Sequence, residues 1–237
     1  EGYLGSISLR ASGGLLLLAG KALWALDDGS AVPQRLAGVE EEVADNLVND
    51  GKCDPAGRFW FGTMHAAESE ATGALYRFDG NEVLKVDHGF ICANGLGWSP
   101  EGKTFYLVDM MPGKVLAYDF DLGSGTVANR RTLFSIPASE GMPDGLCVDS
   151  EGGIWVAHWD GWRISRWSPE GNRLLTLEVP VQRPTCPVFG GPGLATLYLA
   201  SSAADLPAES LVRGPQSGAL FAIDAGVRGT SIAPFAG

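Results

Sequence analysis

The sequence predicts an all-β protein folded as a β-propeller, and three observations predict it. A motif recurs five times along the 237 residues, at intervals of 44, 45, 50 and 41 residues. Each copy carries short runs of alternating or continuous apolar residues bounded by turn residues, the pattern of β-strands. No stretch shows the periodicity of a long amphipathic helix. Sheets of about four short strands repeated every ~40–50 residues are the signature of propeller blades.

The copies are anchored at Gly5, Asn49, Asn94, Asp144 and Thr185. Eight residues after each anchor comes a glycine: Gly13, Gly57, Gly102, Gly152 and Gly193. An apolar strand follows each, for example "RFWFGTM" from Arg58, "KTFYLVDM" from Lys103 and "GIWVAHW" from Gly153. A third element then closes the pattern: "KALWALD", "GALYRFD", "KVLAYDF", "RISRWS" and "GALFAID". Five copies fit either a five-bladed ring or a six-bladed one without its first blade. The first copy starts almost at residue 1, with no spare strand to close the ring, which favours the six-bladed architecture. Residues 1–237 read as one domain.

Composition narrows the function. A formal net charge of −11 argues against nucleic acid as a partner, because a polyanion is repelled. No apolar run reaches the roughly 18 residues of a membrane span, and "LLLLAG" from Leu15 reads as a strand of the first copy. The four cysteines are far apart without a C-x-x-C pair, so they read as buried thiols in a reducing, cytoplasmic compartment. Serine-hydrolase, nucleotide-hydrolase and zincin motifs are absent.

In a propeller the inner strand of every blade lines the central channel, so equivalent repeat positions converge there. Three adjacent blades thus bring Asn49, Asn94 and Asp144 together. Their amide and carboxylate oxygens suit Ca²⁺, Mg²⁺ or Mn²⁺, and a carboxylate also serves Zn²⁺. The competing reading is that Asn-Gly and Asp-Gly merely shape turns. Gly5 and Thr185 stand at the same phase, so the phase itself does not require Asn or Asp. The returning strands bring Met64–His65, Asp109–Met110 and His158–Trp159 toward the same end. His65 is the candidate there for substrate contact or proton transfer. Glu40–Glu42 read as a solvated loop.

At these residues the chain resembles the SMP-30/gluconolactonase/LRE family. The stretches that carry the resemblance are "NDGKCDPAGRFWFGTM", "GALYRFD", "ANGLGWSPEGKTFYLVDM", "GMPDGLCVDSEGGIWVAHWDG" and "RPTCPVFGGPGLATLYLASS", in family order along nearly the whole chain. The resemblance implies a six-bladed propeller with one divalent cation in the channel. It implies Asn94 and Asp144 as metal ligands, Asp144 also as general base, and Asn49 as a contact to substrate and water beside the metal. Two departures stand out. Leu47 occupies a place where the family commonly has Arg, and the first-blade E-G-P-x-W motif with its ligand Glu is missing. Because "EGYLGSISLR" matches the second blade, Glu1 is not given that role. The implied activity is divalent-metal-dependent hydrolysis of small sugar lactones. The rivals are a non-catalytic propeller that binds calcium or a small molecule, and promiscuous aryl-ester or phosphotriester hydrolysis. A ring short of one blade exposes sheet edges, which predicts homo-oligomer formation.

Overall fold

The computed structural model describes residues 3–237. Glu1 lies outside them. Five antiparallel sheets follow one another along the chain. The first holds β1 (Leu4–Leu9), β2 (Leu15–Ala19), β3 (Ala22–Leu26) and β4 (Gln34–Gly38). The second holds β5 (Asn46–Cys53), β6 (Phe59–His65), β7 (Gly73–Phe78) and β8 (Val83–Phe90). The third holds β9 (Ala93–Trp98), β10 (Thr104–Asp109), β11 (Lys114–Asp121) and β12 (Thr126–Ser135). The fourth holds β13 (Met142–Val148), β14 (Ile154–Trp159), β15 (Arg163–Trp167) and β16 (Arg173–Glu178). The fifth has three strands, β17 (Pro184–Gly190), β18 (Thr196–Ser201) and β19 (Phe221–Asp224). The sheets are blades of a β-propeller, as the repeat predicts.

The repeat phase has a physical origin in the turn that leaves each inner strand. Five residues after the anchors Asn49 and Asp144 stand Asp54 and Asp149, both fully buried. Asp149 Oδ1 accepts the backbone N–H groups of Glu151 and Gly153, and its Oδ2 accepts from Trp155 Nε1 and Arg166 Nε. Asp54 repeats the arrangement with Ala56, Arg58 and Trp60. Ser99 takes the place in the third blade and accepts from Lys103 and Thr104. The plus-eight glycine donates to the carbonyl of the capping residue at a positive φ, 82° at Gly57 and 83° at Gly152. A side chain there is strained, which is why glycine recurs.

Alternate side chains of each strand meet the next blade. Four apolar cores result, one between each successive pair of blades. Trp60 packs on Trp98 and Phe105 between the second and third blades, and Phe134 stacks on Trp167 between the third and fourth. Among the described residues no such core joins the fifth blade to the first. There Ile7 and Leu9 of β1 are 58% and 68% exposed. The C-terminal segment, which the repeat pattern does not cover, runs from the fourth and fifth blades to the first and second. Gly229 donates to Leu194 O in the fifth blade. Further on, Phe235 bonds Leu9 and Ala11, stacks on Phe78 at 5.3 Å, and is followed by Ala236, which donates to Gly57 O.

One loop departs from expectation. Glu40 is buried, not solvated, because Tyr76 Oη, Asn46 Nδ2 and Thr63 Oγ1 all donate to its carboxylate.

Asp149→Ala is expected to destabilise the protein by about 3–5 kcal/mol, since it leaves Arg166 and Trp155 without their buried acceptor. Urea denaturation at constant m-value checks this.

Candidate active site

Each anchor occupies a β-bulge rather than a turn. In β5, Val48 pairs with Thr63 and Gly51 with Phe61, so Asn49 and Asp50 together oppose Gly62. The same two-on-one register places Asn94–Gly95 opposite Val108, Asp144–Gly145 opposite Ala157 and Thr185–Cys186 opposite Ala200. In β1 a bulge falls at Gly5. A bulge bends its strand and re-aims the side chain it carries. The glycines after Asn94 and Asp144 are explained by crowding. A Cβ on Gly145 meets Thr185 O at 2.7 Å, and one on Gly95 strikes the Leu146 N–H of the neighbouring inner strand. Turn-like dipeptides therefore mark places where inner strands touch.

All five anchors line one cavity of about 720 Å³ at the channel mouth. Its deep wall carries Asn49, Asn94 and Asp144, each less than 10% exposed, together with Asp50. Tyr3 Oη donates to Asn49 Oδ1 at 3.4 Å. Sulfur atoms form the adjoining wall. Asn49 Nδ2 lies 3.4 Å from Cys92 Sγ and 3.0 Å from Ala93 O, and Asn94 Nδ2 lies 3.4 Å from Met110 Sδ. With their NH₂ groups held in this way, the two amides are left with their oxygens as the free ligating atoms. Trp159 and Arg183 stand toward the rim, the guanidinium 4.5 Å over the indole ring and bonded to Asp160 at 2.7 Å. Lys52, which is not among the residues lining this cavity, donates to Leu96 O at 2.8 Å and Leu146 O at 2.7 Å in the next two inner strands.

Burial dominates the electrostatics. It pushes the Asp144 carboxyl up to about 8, and the Asp50 carboxylate adds to the rise, against smaller opposing effects from the Asn94 amide and the Gly145 N–H. Burial likewise raises Asp50, opposed by Lys52 and the Gly51 N–H. Asp50 Oδ2 is sealed from solvent and has no hydrogen-bond partner. Crowded carboxyls, amide oxygens and an orphaned carboxylate oxygen are a donor set that fits a hard divalent cation.

The returning strands contribute, but with the opposite parity from the one the sequence suggests for His65. Met64, Met110 and Trp159 line the cavity. His65, Asp109 and His158, one residue away in each strand, do not, because successive strand side chains face opposite sides. His65 turns to Ser69, whose N–H and Oγ lie 3.3 and 3.2 Å from Nδ1. His158 is fully buried between Ser165 Oγ and Glu140 O, and burial pushes it down to about 4, so it is neutral core. The single-residue alternation, applied from the anchors, identifies the lining members. Asp50 carried a weaker signal, being the one acidic residue directly after an anchor.

Fold and site together define a β-propeller with a hard-oxygen cluster in its channel. The model of the SMP-30/gluconolactonase/LRE-like region matches residues 1–203, and the chain belongs to that family. Regucalcin of Xenopus laevis is 38% identical over 245 residues, an alignment covering all of this chain and 82% of that protein. Among solved structures, a calcium-binding regucalcin from Agrobacterium tumefaciens superposes with a TM-score of 0.93 at 26% identity, over 99% of this chain and 80% of that one. A luciferin-regenerating enzyme superposes with a TM-score of 0.90 at 30% identity, over 100% of this chain and 82% of its own. Among the described residues, no helix is long and apolar enough to cross a membrane.

A raised carboxyl pKa has a signed consequence. Between about 4 and 8 the folded state holds the Asp144 proton while the unfolded chain has lost it, so stability falls as pH rises through that window. The metal-free protein is expected to melt at a lower temperature at pH 8 than at pH 5, with Asp144→Asn reducing that fall. Thermal melts in EDTA across that range test it.

Proposed function

We propose that the protein is a divalent-cation-dependent lactonase that opens small sugar lactones by hydrolysis. The observation that carries this reading is the convergence of Asn49, Asn94 and Asp144 on one cavity, from three bulges some 45–50 residues apart. Held by oxygens of these residues, a divalent cation supplies Lewis acidity for a carbonyl and for the negative charge that develops on its oxygen. The oxygen donors favour Ca²⁺, Mg²⁺ or Mn²⁺ over softer ions. The calcium-binding description of the Agrobacterium relative supports Ca²⁺ as the first ion to test.

The chain's own groups do the rest. Asp144 accepts the proton of the attacking water on its carboxylate as the water oxygen bonds to the lactone carbonyl carbon. The ring C–O bond then breaks, and the proton passes to the departing ring oxygen, leaving a hydroxy acid. Asn49 orients substrate through its Oδ1, which already accepts from Tyr3. Trp159 offers an apolar face to the sugar ring and Arg183 a donor to its hydroxyls.

Leu47 favours the second reading, a calcium-binding propeller without turnover. Arg183 is the one cationic side chain along the cavity among the described residues, and Asp160 already holds it. Aryl esters and phosphotriesters fit the same Lewis-acid chemistry and belong in the substrate panel. The unpartnered faces of the first and fifth blades, with Ile7 and Leu9 exposed, fit a further blade in the ring. In that architecture the same domain holds six.

Gluconolactone hydrolysis followed by pH-stat, on EDTA-stripped protein with each ion returned separately, tests the proposal. Asp144→Ala is expected to lower kcat/KM by about 10²–10⁴-fold while the protein stays folded. Full activity in that variant overturns the mechanism. Calcium binding without any turnover favours the second reading.

A further inference from the structure

We infer that Asp50 is a second carboxylate ligand of the channel cation site, so that the site carries two negative charges rather than one. The inference rests on the cation reading above and adds a residue that the repeat phase alone does not select.

Three independent placements carry it. The first is the bulge. In the third and fourth blades the second bulge position is Gly95 or Gly145, where an added Cβ collides with the next inner strand. In the second blade the same position holds Asp50, whose side chain lines the cavity beside Asn94 and Asp144. The second placement is the carboxylate's own bonding. Asp50 Oδ1 accepts the Gly51 N–H at 2.7 Å, but Oδ2 is sealed from solvent without any partner. The third is the neighbouring cation. Lys52 is two residues away, yet its ammonium is spent on Leu96 O and Leu146 O, and no ion pair forms between it and Asp50.

A buried carboxylate with an empty lone pair is costly unless a positive charge faces it. Three other buried acids obey the rule: Asp54 and Asp149 each have an arginine and a tryptophan, and Glu40 has three donors. Asp109 Oδ1 is also without a partner, but Asp109 does not line the cavity, whereas Asp50 does, beside Asn49, Asn94 and Asp144. With Asp50 included, two carboxylates balance the charge of a divalent ion, and ligand charge count is what tunes affinity in such sites.

The test is calcium binding, read by isothermal titration of EDTA-stripped full chain, with thermal melts in parallel. Asp50→Asn keeps the shape and the Gly51 contact. It is expected to weaken Ca²⁺ binding by about 10–100-fold. In the absence of metal the same variant should melt no lower than the parent, because an unpaired buried charge has been removed. Asp50→Glu should retain part of the affinity, and Asp50→Ser serves if the Asn variant does not fold. Equal affinity in parent and Asp50→Asn overturns the inference and leaves the lactonase reading standing. A drop in the metal-free melting temperature with unchanged affinity overturns it too, by showing a purely structural role. No binding of Ca²⁺, Mg²⁺, Mn²⁺ or Zn²⁺ by the parent removes the cation reading itself, and this inference with it.

Discussion

Five inner strands crowd round one axis, and the closeness of that approach governs the rest of the structure. Neighbouring inner strands touch through backbone, so Gly5 faces Asn49 O, Gly95 faces Leu146 N and Gly145 faces Thr185 O at distances that leave no room for a Cβ. A regular ladder at this spacing points its side chains toward the blades on either side. The bulge in each inner strand breaks the alternation once, and the freed residue turns toward the mouth. Strand packing and ligand presentation are thus the same event. That is why Asn49, Asn94 and Asp144 share a repeat phase with Gly5 and Thr185, which carry no such donor.

The buried acids divide into two groups by how they are satisfied. Asp54, Asp149 and Glu40 are wrapped in donors and hold turns and loops in place. Asp50 and Asp144 line the cavity with fewer donors, and the Asp50 carboxylate raises the affinity of Asp144 for its proton. Asp109, away from the cavity, also keeps one oxygen unpartnered, so it is the shared cavity, not the deficit by itself, that sets Asp50 and Asp144 apart. The sulfur wall of Cys92, Met64 and Met110 fits the same logic, since weak acceptors hold the asparagine NH₂ groups without competing for their oxygens.

Much of this was legible before any coordinates. The plus-eight glycines and the alternating third element carry the blade pattern, because turn geometry and strand parity are local properties. The convergence of the anchors follows from the repeat alone. The details that failed were all non-local. Asn-Gly and Asp-Gly look like turns in isolation, and only the neighbouring strand reveals them as contact points in a bulge. His65 and His158 sit beside lining residues in the chain but turn to Ser69 and to Ser165 with Glu140 O, a matter of one residue in register. Glu40 stands in an acidic run, yet Tyr76, Asn46 and Thr63 draw it inside from 36, 6 and 23 residues away.

The sequence by itself determined the fold class, the number of repeats in this chain, the phase of the site and the hard character of its donors. These depend on residue type and spacing, which a linear chain displays directly. The tertiary structure decided which member of each returning pair faces the cavity, that Lys52 bonds carbonyls of the next two inner strands, and that the C-terminal segment runs from the fifth blade to the first and second. It also decided that Asp50 is left without a partner. Whether a buried carboxylate is satisfied depends on every group around it, and those groups come from strands more than 40 residues apart. No local rule sums them.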